Sequence, residues 1–95
     1  MRKNKTKYSL PMDPEALMLT EHMQRIAGDN CLFERRGYKV VIEGRNTPHE
    51  VKVSKMPDEK VDTVIEAMSS ALYEKFNRSV TRVGDKLFVS EPYSA

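Results

Sequence analysis

The chain has 95 residues, with 16 Lys and Arg against 14 Asp and Glu and a formal net charge of +2, which leaves room for one small domain and one core. Leu, Ile, Val and Phe together number 21, just enough for collapse rather than disorder. No apolar run approaches the roughly 18 to 20 residues of a membrane span, so a soluble protein with no membrane partner is expected, and the lone Cys31 excludes an internal disulfide.

Arg2, Lys3, Lys5 and Lys7 are followed by Tyr8, Ser9, Leu10 and Pro11 rather than by an apolar stretch, so no secretory signal is read and a cytoplasmic address is expected. Residues 1–12 lack an apolar period and read as a flexible basic arm. Residues 13–90 read as a single α+β domain and 91–95 as a tail.

Asp13 before Pro14 is a helix start, because the carboxylate accepts bonds from the first free amides and Pro at the first helical position gives up none. The helix is expected over 14–27, with Ala16, Leu19, Met23, Ile26 and Ala27 on one stripe, Leu17 and Met18 widening it, and Gly28 as the cap. From Cys31 onward the period changes to two. Cys31 to Arg35 is a short strand, Tyr38 to Glu43 a second and Val51 to Ser54 a third, the last two joined by the turn formers Gly44 to His49.

A second helix opens at Pro57, with Asp58 and Glu59 meeting the positive end of its dipole and Lys75 and Arg78 closing it. Val61, Val64, Ile65, Met68, Leu72 and Phe76 form its apolar stripe. Val80 to Val83 and Lys86 to Val89 read as a hairpin around Gly84-Asp85. That register places Val80, Leu87 and Val89 on one face with Arg82, and Phe88 on the other with Thr81 and Val83. The order is α-β-β-β-α-β-β, an α+β fold with two helices packed on one face of an antiparallel sheet.

No set of nucleophile, base and charge-stabilising group is marked, so a non-enzymatic protein without catalytic residues is expected. Cys31 opens a buried strand and reads as inert core. His22 reads as a polar flank of the first helix and His49 as an exposed loop residue. The four glycines are scattered and build no phosphate cradle, and Asp58, Glu59 and Asp62 are explained by the helix dipole, so neither cofactor nor metal is expected.

Charge is unevenly distributed. Residues 1–13 carry four basic side chains and one acidic, and residues 25–55 carry seven basic and four acidic. If Arg35, Arg36, Lys39, Arg45 and Lys52 line the solvent face of the sheet and Lys3, Lys5 and Lys7 of the arm join them, the protein is a nucleic-acid binder acting on phosphates. The element order α-β-β-β-α resembles that of a double-stranded RNA-binding domain, which implies RNA binding; the chain departs from that pattern at Pro57-Asp58-Glu59-Lys60, acidic where that family is Lys-rich. The alternative is a small regulator or inhibitor that binds another protein through helix flanks or a sheet edge. Met18, Tyr73 and Phe88 are its candidate contacts, and a homodimer would bury the same surface.

Overall fold

The computed structural model describes residues 13–92; the expected arm and the last three residues of the expected tail lie outside the described residues. The chain runs α1 (Pro14–His22), β1 (Cys31–Arg36), β2 (Lys39–Glu43), β3 (His49–Lys52), α2 (Asp58–Lys75), β4 (Arg78–Val83) and β5 (Lys86–Pro92). The strands form one antiparallel sheet in the order β3-β2-β1-β5-β4, and both helices pack on it. The α+β architecture is the one expected from the sequence. The tail begins later than expected, because β5 pairs with β4 as far as Pro92.

Asp13 caps α1 by accepting a 2.8 Å bond from the Glu15 amide, and its other oxygen meets Lys60 Nζ of α2 at 2.5 Å. One carboxylate therefore closes a helix end and joins the two helices. The stretch expected to be helical to residue 27 is so, but its last turn, Met23–Ala27, is a π-helix. Ala16, Leu19, Met23 and Ala27 keep one buried line through both parts.

The expected stripe is buried on α2 at Val61, Val64, Ile65, Met68 and Leu72, while Phe76, just past the helix end, is half-buried against the same core. Facing it from the sheet are Phe33, Ile42, Leu87, Val40, Val51, Cys31 and Val89. Their register explains the grouping: Phe33 stands opposite both Ile42 and Leu87, Val40 opposite Val51, and Cys31 opposite Val89, so one parity of every strand faces the helices.

Two expectations need correction. Arg78 does not close α2; it begins β4 and is only 4% exposed. Its guanidinium donates to Gln24 Oε1 at 3.1 Å, Asp29 Oδ1 at 2.9 Å and the Ser90 carbonyl at 3.3 Å, a set of partners that offsets the cost of burying a charge. His49 is not an exposed loop residue either. It starts β3, stands opposite Ile42 on the helix side of the sheet, and stacks on His22.

Candidate functional site

The other face of the sheet carries no helix. By strand parity it presents Glu50 and Lys52 from β3, Lys39, Val41 and Glu43 from β2, and Leu32, Glu34 and Arg36 from β1. The second half of the face is Lys86, Phe88 and Ser90 from β5 with Thr81 and Val83 from β4. These two halves differ in kind.

Across β3, β2 and β1 the registers set Lys52, Lys39 and Arg36 in a line of three cations, an arrangement that is repulsive alone. Carboxylates relieve it. Arg36 donates from Nε and Nη2 to Glu34 Oε1 at 3.3 and 2.9 Å and reaches Glu43 Oε2 at 3.9 Å, while Lys39 Nζ lies 3.2 Å from Glu50 Oε1 and Lys86 Nζ 3.8 Å from Glu34 Oε2. The hydrogen bond from Arg36 holds the Glu34 carboxyl below its ordinary value and raises the Arg36 guanidinium in turn. Val41 stands opposite Glu34 on the same face as these charges. It is only 4% exposed, on a face that no helix covers.

Beyond Lys86, along β5 and β4, this mesh ends. Phe88 stands between Leu32 and Thr81 in the register and is 41% exposed, and Val83 at the hairpin end is also exposed. Beside Phe88 lies an open depression of about 640 Å³, with Leu32, Phe88 and Thr81 among its lining and Glu43, Arg45 and Asp29 among its charged members. Apolar side chains bordered by polar ones of both signs are common in protein-binding surfaces.

The residues expected to form one basic stripe are divided. Arg36, Lys39 and Lys52 share the open face, but Arg35, one residue from Arg36, points to the opposite side, as a strand period of two requires. There Arg35 Nη2 donates to the Met56 carbonyl at 2.5 Å, Nε to the Gly37 carbonyl at 3.1 Å, and Nη1 lies 3.4 Å from Asp58. Its role is to hold the segment before α2. Arg45 is exposed in the β2–β3 connection, while Lys3, Lys5 and Lys7 lie outside the described residues. The missing signal was the acidic residue two or four places from each cation: Glu34 before Arg36 and Glu43 after Lys39 share their faces by parity alone.

Met18, Tyr73 and Phe88 are not brought together. Met18 packs against the core from α1, Tyr73 is exposed on α2, and Phe88 occupies the opposite layer. Both sheet edges are guarded: β3 has four residues and follows Pro48, and β4 carries a register shift between Arg78 and Val80. Burial pushes the Cys31 thiol up to about 11, which keeps it neutral and unreactive. Among the described residues no group of three or more His, Cys, Asp or Glu could hold a metal ion, and no helix is long and apolar enough to cross a membrane. No family model, curated protein or solved structure matches the chain.

Proposed function

We propose that this chain is a small cytoplasmic, non-enzymatic regulator that holds a segment of another protein against the helix-free face of its sheet. Phe88 and Leu32 supply the apolar contact, and the rim around Glu43 and Arg45 supplies polar ones. The observation that carries this reading is the exposed aromatic ring on β5, next to a depression, on a sheet whose edges are both guarded. Docking therefore falls on the face rather than on an edge or a helix flank. The buried, single Cys31 fits a reducing compartment.

The nucleic-acid reading draws on Arg36, Lys39, Lys52 and Arg45, with Lys3, Lys5 and Lys7 adding charge. Phosphate binding gains from cations whose counterions are mobile and released on contact, and Arg36 and Lys39 are already paired with glutamates of the same face. That pairing ranks a protein partner first.

The test is affinity recovery from nuclease-treated lysate with the wild-type chain and Phe88→Glu side by side. One stoichiometric protein, recovered despite nuclease and lost at least tenfold with Phe88→Glu, is the expected result. Recovery that vanishes with nuclease, together with salt-sensitive binding of duplex or single-stranded RNA or DNA, would put nucleic acid in its place. Self-association lost with Phe88→Glu would make a second copy the partner.

A further inference from the structure

His22 closes α1 and His49 opens β3, and their rings stack with centroids 4.9 Å apart and planes at 25°. The two come from different layers of the fold, so the contact fastens the edge strand and the connection before it to the helical layer. Two further contacts act at the same place. Asn46 Nδ2 donates to the Ile26 carbonyl at 2.6 Å, and Gly44 lies so close to Ala27 that a Cβ there would overlap the alanine's own Cβ and Cα.

We propose that His22 and His49 are a proton-sensitive clasp that keeps residues 44–49 against the end of the first helix while both rings are neutral and releases them when the rings are charged. His22 Nδ1 is enclosed and has no hydrogen-bond partner among the described residues. A proton placed there becomes a charged donor with nothing to accept it, a state that burial disfavours. Protonation therefore goes with opening.

The charged groups around His22 act in the same sense on balance. Burial is the largest influence lowering its affinity for a proton, His49 from β3 and Arg25 from the π-helical turn add to it, and Glu21 on α1 opposes. Stacked neutral imidazoles attract, whereas two imidazolium rings at this separation repel in a partly screened site. The sign follows: a group whose proton affinity is lowered by folding stabilises the closed form above its ordinary value of 6.5 and ceases to do so as pH falls below it. The segment released would carry Arg45, one wall of the depression described above, although the clasp does not depend on what docks there.

Amide exchange and imidazole titration of the intact chain between pH 7.5 and 5 test the clasp. After correction for intrinsic rates, protection of residues 44–50 should fall about tenfold or more on acidification, while that of α2 and β1 holds. His49→Gln, which removes one of the two charges, should abolish most of that selective loss. The idea is overturned if 44–50 and α2 lose protection in parallel, or if the loss persists undiminished in His49→Gln. Should His49→Gln fail to fold, the wild-type titration still decides, because two rings titrating independently at ordinary values would exclude coupling.

Discussion

Arg35 turns its guanidinium to the helix side and ties β1 to the Met56 carbonyl, whereas Arg36 lies on the open face among carboxylates. The two should differ in what truncation costs. Arg35→Ala removes charged hydrogen bonds to a carbonyl with little access to water and should cost about 1 to 3 kcal/mol. Arg36→Ala removes exposed pairs and should leave the urea midpoint nearly unchanged. Urea midpoints of the two variants check this, and equal losses would mean the partition between faces is wrong. The strand period that separates these arginines is written in the sequence, so their separation was readable from parity. The burial of Arg78 was not, because its main charged partner, Asp29, lies 49 positions away and no local pattern brings them together. His49 was hidden for a nearer reason: it adjoins Pro48 and a run of turn formers that mask the start of a strand.

The helices show how far local signals reach. Asp13-Pro14 fixed the start of α1 because capping is a contact between near neighbours, and the stripe of α2 fixed its buried face. The π-helical turn that finishes the first helix had no such signal. It depends on how the 23–27 segment fits against β1 and β2, a tertiary requirement. Asp13 also gives a prediction at this level. The hydrogen bond from Lys60 holds its carboxyl below the ordinary 3.8, so the ionised form is favoured in the folded state. That contribution is present above the ordinary value and lost below it, as pH falls through the lowered folded value. Asp13→Asn retains a capping oxygen without the charge, so it should be less stable than the wild type by about 0.5 to 1 kcal/mol at pH 7. The difference should close toward pH 3, as measured by chemical denaturation at each pH.

At the scale of the whole molecule, one core between two helices and one face of a sheet holds everything in place. Leu72 is fully buried at the α2 side of that core, and Leu72→Ala should cost about 2 to 5 kcal/mol, a large share of the 5 to 15 kcal/mol of a typical domain. Thermal or urea unfolding of the variant checks the figure, and a loss under about 1 kcal/mol would mean the core is looser than drawn. The alternation of apolar residues made this single core legible, and the Gly84-Asp85 loop fixed which side of the last hairpin carries Phe88. The open face was less legible, because a cation and its glutamate look alike in a sequence whether they meet or not.

β1 is the middle strand, yet only one of its neighbours, β2, is near it in the chain; the other, β5, is made about fifty residues later. During synthesis one border of the central strand therefore stays open until residues 86–92 have left the ribosome, and such a border invites pairing with other nascent chains. A polypeptide stalled before that point would retain most of its helical layer and still be prone to clump, so quality control of this protein rests on the arrival of its final hairpin.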